Sequence, residues 1–449
     1  LILHHQKKKE IWKNVFNGNE NLVIGARSSL FLPFKNLNLI VVDEEHDTTY
    51  KQQEQIIYNA RDMAIARCSF ENATVALVSA TPSMESLFNA KEQRYYHLNL
   101  PKRIGIAGLP SIETIDMRNE KMENDTWISP SLKSSISKTL EKKEQVLLFI
   151  NRRGYAPLTL CKSCGEKIEC RKCDSYLVYH KVKNNLICHQ CGYKEIFKNK
   201  CKSCDQNNSY IQYGPGIERL LEETKMCFPD SIVKSISSDN SDDFMKTMEE
   251  LVLGEIDIII GTQIISKGYH LPNLTLVGII DADLGLISSD LRASEYTFQL
   301  LQQVSGRSGR DKKKGKALIQ TYYPHNPVID ALINNDRDKF VEAELKMREQ
   351  SNLPPYGRLA TITISDTNEE SLMKFGSYLF SKIPISSAVE VLGPAPAPIL
   401  KIRNRYRYKF LIKASKKVSI QKFIENWIED IKKPRTIRLL IDIDPYNFL

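Results

Sequence analysis

The sequence predicts an α/β protein: two parallel-sheet lobes, a metal-binding insert that interrupts the second, and a smaller α+β domain at the end. Three observations carry this reading. Short apolar runs ending in polar motifs recur from residue 38 to residue 260, alternating with helical periodicity. Four Cys-x-x-Cys pairs break that alternation between Cys161 and Cys204. Beyond Leu353-Pro354-Pro355 the pattern becomes strand, helix, strand, strand, helix, strand. The chain's 449 residues suffice for about three such domains.

The first apolar run, residues 38–42, ends in Asp43-Glu44-Glu45-His46. A buried strand that delivers an Asp-Glu pair is the arrangement that holds Mg²⁺ on the first carboxylate and polarises an attacking water with the second. Alone that signal is weak. Four further motifs follow in order. Residues 75–78 run into Ser79-Ala80-Thr81, and residues 145–150 into Asn151-Arg152-Arg153-Gly154. Residues 255–260 run into Gly261-Thr262-Gln263, with Lys267-Gly268 just beyond. Last, Gln303, Gly306, Arg307 and Arg310 match Q-x-x-G-R-x-x-R. Arg307 and Arg310 have the chemistry of arginine fingers, able to neutralise charge on a γ-phosphate across a cleft. Arg153 and Thr262 lie where strands end, the edge at which α/β sheets present ligands. Each motif alone is as well explained by a surface turn or salt bridge; five in sequence are not.

Eight of the ten cysteines form four knuckles, Cys161/Cys164, Cys170/Cys173, Cys188/Cys191 and Cys201/Cys204. That spacing lets two thiolates and the turn between them grip one tetrahedral zinc, so eight thiolates make two complete sites. A disulfide framework and a redox pair are the alternatives, and four successive knuckles in an intracellular chain fit neither. Between Cys173 and Cys188 the residues read strand, turn, strand, which predicts a hairpin joining the second and third knuckles. The pairing is therefore nested. Cys170, Cys173, Cys188 and Cys191 hold one zinc, and Cys161, Cys164, Cys201 and Cys204 the other. Full thiolate sets leave His180 and His189 as surface residues. Such sites are structural, fold with their metal and have no open position for catalysis. Their thiolates and metals together add about −4 to the local charge.

The overall balance is mildly basic, 63 Lys+Arg against 54 Asp+Glu, net +9. Hydrophobic content of 42% and charged content of 26% are ordinary for a globular protein, and no apolar run is long enough to span a membrane. Leu1–Leu3 lead at once into His4, His5 and lysines rather than a signal-peptide core, so a cytoplasmic protein with no membrane partner is expected. Basic clusters at residues 312–316 and 401–417 read as solvated faces or as nucleic-acid contacts.

The ordered motifs resemble those of superfamily 2 helicases. The resemblance narrows with Gly25-Ala26-Arg27-Ser28-Ser29, Tyr50-Lys51-Gln52 behind the acidic motif, Asn151-Arg152-Arg153-Gly154, the eight-cysteine insert, Leu353-Pro354-Pro355-Tyr356 and Leu392-Gly393-Pro394. Together they look like the PriA family of replication-restart helicases along the length of the chain. The resemblance implies two RecA-like helicase lobes, a nested double zinc insert in the second, and a bacterial ATP-dependent 3′→5′ DNA helicase that recognises abandoned forks and starts primosome assembly. It implies two structural Zn²⁺, ATP and Mg²⁺ as cofactors. Forked and single-stranded DNA, single-strand-binding protein and other primosome proteins are its implied partners. Asp43, Glu44, Arg307 and Arg310 become the catalytic candidates, with Gly268 and Gln303 added for nucleotide. Arg27, Ser28, Tyr50, Lys51, Tyr58, Arg153, Thr262 and Lys267 become the DNA-contact candidates. Tyr50 and Tyr58 are suited to stack on unpaired bases and equally to pack against a sheet.

No G-x-x-x-x-G-K-[ST] loop occurs, and Gly315-Lys316-Ala317 lacks the hydroxyl. The family carries that loop ahead of the acidic motif, so the chain reads as an N-terminally truncated member, about two-thirds of it, inactive as a motor alone. The domains divide as 1–115 for the rest of lobe 1, 116–160 with 205–335 for lobe 2, 161–204 for the insert and 336–449 for the last domain. In that domain strands are expected at 358–364, 389–392, 407–413 and 436–442, and helices at 368–381 and 420–431. Arg403, Arg405, Arg407 and Lys409 alternate, which gives one basic face; the resemblance suggests that this domain meets DNA and the acidic tail of single-strand-binding protein. The competing reading is a zinc-ribbon DNA-binding or scaffold protein whose motor has decayed. An RNA helicase or restriction translocase would share the motor motifs without the cysteine insert.

Overall fold

A computed structural model describes the chain except residues 1–4, 54–55, 101–107, 124–125, 152–157, 162, 165, 175, 181–184, 189–190, 208–209, 214–215, 237–240, 263–270, 287–289, 310–312 and 447–449. It forms two compact units, Leu1–His97 and Leu98–Leu449.

In the first unit, β1 (Leu39–Asp43) pairs in parallel with β2 (Thr74–Val78), from Leu39 opposite Thr74 to Asp43 opposite Val78. The connection between them is α1 (Ala60–Glu71). Asn59 starts this helix by accepting the Arg61 N–H, and Asn72 ends it in the left-handed region at φ 53°, where asparagine is tolerated. Ala60, Ala64 and Cys68 recur at four-residue spacing and are its buried stripe. Strand alternation leaves Val42 buried and Leu39 and Val41 more than half exposed on the opposite face.

The second unit is built on a six-stranded, all-parallel sheet. Its strands are β3 (Ser111–Asp116), β4 (Gln145–Phe149), β5 (Val233–Ile236), β6 (Ile258–Gly261), β7 (Leu274–Ile279) and β8 (Lys316–Thr321), in the spatial order β5-β6-β4-β7-β8-β3. Helices α2 (Pro130–Glu141) and α3 (Ile217–Cys227) supply Leu132, Ile136, Ile217 and Leu220 to the core on one face, against Val146, Leu148, Ile258, Ile260 and Leu276. Both faces of β4 are covered, and every residue in it is buried, as a continuous apolar run in a central parallel strand requires. The C-terminal ends of β6, β4 and β7 therefore lie side by side.

Residues 111–115 were assigned by their order in the sequence to the first lobe, and the structure moves them. β3 runs beside β8 from Ser111 opposite Lys316 to Asp116 opposite Thr321, with Lys316 Nζ 2.8 Å from Glu113. Its Ser-Ile-Glu-Thr-Ile-Asp alternation is that of an edge strand, not of the buried runs that mark the rest of the sheet. The cysteine insert is likewise wider than 161–204. Strands Leu158–Cys161 and Tyr210–Tyr213 pair antiparallel and close its base. Inside, the expected hairpin forms from Val178–His180 and Asn185–Ile187, and Lys194–Ile196 adds a third strand.

The C-terminal domain consists of β9 (Gly357–Asp366), α6 (Glu369–Ser381), β10 (Val389–Ile402), β11 (Arg405–Ser415), α7 (Ile420–Ile428) and β12 (Arg438–Ile443). The sheet is antiparallel in the order β10-β11-β9-β12, the split arrangement read from the sequence. Ile362, Ile364, Phe410, Ile412, Leu372, Phe423 and Trp427 fill the layer between sheet and helices. β10 extends ten residues past the expected end at Leu392. Pro394, Pro396 and Pro398 argue against a strand, yet β10 is an edge with one neighbour, where missing N–H groups cost little. Its register shifts between Leu392 and Ala395 and again between Pro396 and Lys401 absorb them.

Candidate metal and nucleotide sites

The cysteines assemble as two groups of four, Cys161, Cys164, Cys201 and Cys204, and Cys170, Cys173, Cys188 and Cys191. This is the nested pairing. Within each group all sulfurs lie within 4.8 Å of one another, and the Cys161–Cys204, Cys164–Cys201 and Cys170–Cys191 separations are each 3.6 Å. A tetrahedron with Zn–S bonds of about 2.3 Å has sulfur edges of about 3.8 Å, whereas a disulfide needs about 2.05 Å. The geometry fits a metal and excludes bridges. Local backbone builds the grip: Gly192, at φ 74°, donates to the Cys188 carbonyl, and Asp205, at φ 58°, to that of Cys201. Burial, opposed by the Lys172 N–H and aided by Cys188 and Cys191, pushes the Cys170 thiol up to about 11. The side chain of His180 and all of His189 lie outside the described residues.

The acidic motif sits at the C-terminal end of β1. Asp43 is the last strand residue, and its Oδ1 accepts the Glu44 N–H at 2.9 Å; Glu44 turns out of the strand at φ 48°. His46 Nδ1 lies 3.6 Å from Glu44 Oε2 and 2.7 Å from Ser79 Oγ. Its Nε2 is 3.4 Å from Thr81 Oγ1, and Ser79 Oγ also accepts the Thr81 N–H at 2.9 Å. One imidazole thus ties the acidic motif to Ser79-Ala80-Thr81 on the neighbouring strand end. Glu45, which the sequence reading passed over, is buried and accepts from the Ser83 N–H at 2.6 Å and from Arg61 Nη1 at 3.1 Å. Its position inside Asp-Glu-Glu-His was the available signal.

Tyr50 donates its hydroxyl to the Asp43 carbonyl at 2.6 Å. Burial, then the carboxylates of Asp43, Glu44 and Glu45, raise its pKa above the usual phenol value. Through this bond Tyr50 is tied to the acidic motif. Arg27 Nη1 donates to the Lys51 carbonyl at 3.2 Å, and Tyr58 stands edge-on to Phe31, centroids 5.3 Å apart. Ser28 is exposed on the short helix Arg27–Phe31, while Lys51 is buried. Four of the DNA candidates in this unit thus share one neighbourhood, and Tyr50 belongs to the carboxylates.

In the second unit Asn151 and Thr262 follow the adjacent ends of β4 and β6. Asn151 Oδ1 is buried without a hydrogen-bond partner among the described residues, and its side chain packs where a Cβ on Gly285 would clash at 2.8 Å. At the end of β7 stands Asp281, which accepts the N–H groups of Asp283 at 3.0 Å and Leu284 at 3.2 Å; burial raises its pKa. Asp283 accepts from Thr321 Oγ1 and from the Tyr322 N–H at 2.7 Å. Both aspartates were missed, although the 274–280 apolar run ending in Asp-Ala-Asp repeats the pattern that marked the other motifs. Gln303 lies on α4 (Ala293–Ser305), and Arg307 follows its end, buried. Arg153, Lys267, Gly268 and Arg310 lie outside the described residues.

Comparison with known proteins bears on the same segments. A DEAD/DEAH box helicase domain matches residues 1–89 and a helicase conserved C-terminal domain residues 195–312. The PriA DNA helicase Cys-rich region matches 170–195, and the primosomal protein N C-terminal domain 349–446. A replication restart protein PriA from Rickettsia felis is 45% identical over 98% of this chain and 68% of its own length. The chain belongs to the PriA family of replication restart proteins. Its relative in Rickettsia conorii is 46% identical over 98% of this chain and 68% of that protein, and the one in Bacillus subtilis 35% identical over 99% and 56%. The Cys-rich family segment contains the whole inner cysteine group, and both four-cysteine groups fit zinc. Among the described residues, no helix is long and apolar enough to cross a membrane.

Proposed function

We propose that this chain serves an ATP-dependent 3′→5′ DNA helicase that recognises stalled or abandoned replication forks and initiates primosome assembly. The observation that carries it is the His46 link between the Glu44 carboxylate and Ser79/Thr81, on a chain of replication restart ancestry. A carboxylate pair at a parallel-strand end suits phosphoryl chemistry, and a hydroxyl network bonded to it gives nucleotide state a way to reach a second loop.

Bound ATP with Mg²⁺ supplies the phosphoanhydride. Asp43 is assigned to the metal, and Glu44 to the proton of the attacking water. Gly268 and Gln303 are assigned to nucleotide, Arg307 and Arg310 to the charge that develops on the γ-phosphate. Arg27, Ser28, Lys51, Tyr58, Arg153, Thr262 and Lys267 are assigned to DNA; Tyr50 is reassigned to holding Asp43 in place. Forked and single-stranded DNA, single-strand-binding protein and other primosome proteins are the partners, in the bacterial cytoplasm. The domain assignment is 1–97 for lobe 1, 98–157 with 214–335 for lobe 2, 158–213 for the zinc module and 336–449 for the C-terminal domain.

The test is forked-duplex unwinding and DNA-stimulated ATP hydrolysis by the full-length protein carrying Arg307→Ala or Glu44→Gln. Both activities should be lost with fork binding retained. Undiminished hydrolysis in either variant would remove that residue's role.

A further inference from the structure

The inner zinc site reaches beyond its own module. The turn of the β10–β11 hairpin, Arg403 at φ 51° and Asn404 at φ 60°, projects from the C-terminal domain onto the Cys170–Cys173 knuckle. The Asn404 N–H donates to the Lys172 carbonyl at 3.0 Å. The Asp174 N–H donates to the Lys401 carbonyl at 3.0 Å. Between these two bonds, the Arg403 N–H donates to the sulfur of Cys173. Ile402 packs against the cluster of Ile168, Cys170, Cys173, Leu177, Leu186 and Cys188, and it is no part of the C-terminal domain's own core.

Two features make this more than a surface contact. Each of these three polar bonds is main chain to main chain or main chain to sulfur, so the polar part of the fit depends on the shape of the knuckle, and Ile402 adds the apolar part. A knuckle keeps that shape only while both its sulfurs are drawn to one cation. Moreover, an N–H donor to a metal-bound thiolate stabilises its charge, as groups around metal ligands do generally. Cys170 has such a donor from within its knuckle, Lys172 N–H at 3.4 Å, while Cys173 takes its donor from a residue some 230 positions later.

We propose that the hairpin tip at residues 401–404 is the outer shell of the inner zinc site, with Arg403 a positioning residue for Cys173, so that the inner metal and the docking of the C-terminal domain stabilise each other. The outer site has no part in this coupling. Inner zinc loss frees the hairpin, and hairpin loss weakens inner zinc alone.

Two measurements on the full-length, zinc-loaded protein test this. Ile402→Asp puts a charge against the inner cluster without touching the C-terminal core. It should speed chelator extraction of one of the two zincs by about 10–100-fold, the usual effect of removing support around a metal ligand, and leave the other at its normal rate. Unchanged extraction of both would overturn the proposal. Hydrogen exchange is the reciprocal measurement. Protection of residues 172–174 and 401–406 should be lost in Cys170→Ser and kept in Cys164→Ser. Protection kept in both variants would overturn the coupling, and protection lost equally in both would overturn the assignment to the inner metal.

Discussion

Arg348 Nη2 lies 2.9 Å from Glu295 Oε2, and both side chains are 2% exposed. Glu295 is in the first turn of α4, the helix that ends at Gly306-Arg307. Arg348 is in the last turn of α5 (Arg337–Gln350), which leads into the C-terminal domain. Glu344, 2.8 Å from Arg348, and Arg292, 3.4 Å from Glu295, complete the cluster, and Arg292 also lies 4.8 Å over the Tyr446 ring. A buried ion pair is weak evidence for stability in itself, but removing one partner strands the other charge. Arg348→Ala should therefore destabilise the second unit by about 3–5 kcal/mol, read as a lower urea midpoint. A shift below about 1 kcal/mol would mean that water reaches Glu295 and Glu344 easily.

The same reasoning applies to Arg61 and Glu45 in the first unit. Their side chains are 5% and 1% exposed, and Ser83 donates to Glu45 through both its N–H and its hydroxyl. Arg61→Ala should cost about 3–5 kcal/mol, whereas Ser83→Ala, which removes a hydroxyl that donates to Glu45, accepts from Arg61 and caps the helix Met84–Lys91, should cost about 1–2 kcal/mol. Thermal unfolding of the two variants ranks them. Equal losses would show that Ser83 holds the carboxylate as firmly as the guanidinium does.

Metal content separates the two zinc sites. Cys170→Ser should lower zinc from about two to about one per chain, because a Cys₃ site binds far less tightly while the outer group keeps all four sulfurs. Loss of both metals would show that the sites fold as one unit. Acidification should release zinc too, since the ligands bind as thiolates and protons compete for them.

What the sequence disclosed depended on how local the signal was. Cysteine spacing, strand-end motifs and the hairpin between Cys173 and Cys188 are all written within a few residues, and the nested zinc groups followed from them. β3 was misplaced because its partner β8 lies two hundred residues away, and an alternating edge strand carries no mark of which sheet it joins. Tyr50 was ambiguous for the same reason. An aromatic near a motif can face either way, and its 2.6 Å bond to the Asp43 carbonyl is visible only in three dimensions. The hairpin tip on Cys173 had no sequence signature at all, because backbone groups make the contact.

Lys409 gives a prediction in pH. It lies on β11 among Arg405, Arg407 and Lys413, on the side of the sheet away from α6 and α7. Burial, reinforced by the Arg407 charge and opposed by Asp442, lowers its pKa from 10.5 to about 8. A lysine whose folded pKa is depressed favours folding only where it is neutral in both states. That contribution is intact above the unfolded value near 10.5 and is lost as pH falls through about 8. At pH 7 the wild-type protein bears the full cost of the buried charge, which Lys409→Met removes while keeping the length of the side chain. The variant should be the more stable protein at pH 7, and its advantage should shrink steadily between pH 8 and pH 10.5. Urea midpoints of both proteins at pH 7, 8, 9 and 10 measure it. An advantage independent of pH would trace to packing, and no advantage at pH 7 would mean that the ammonium is already solvated on that face.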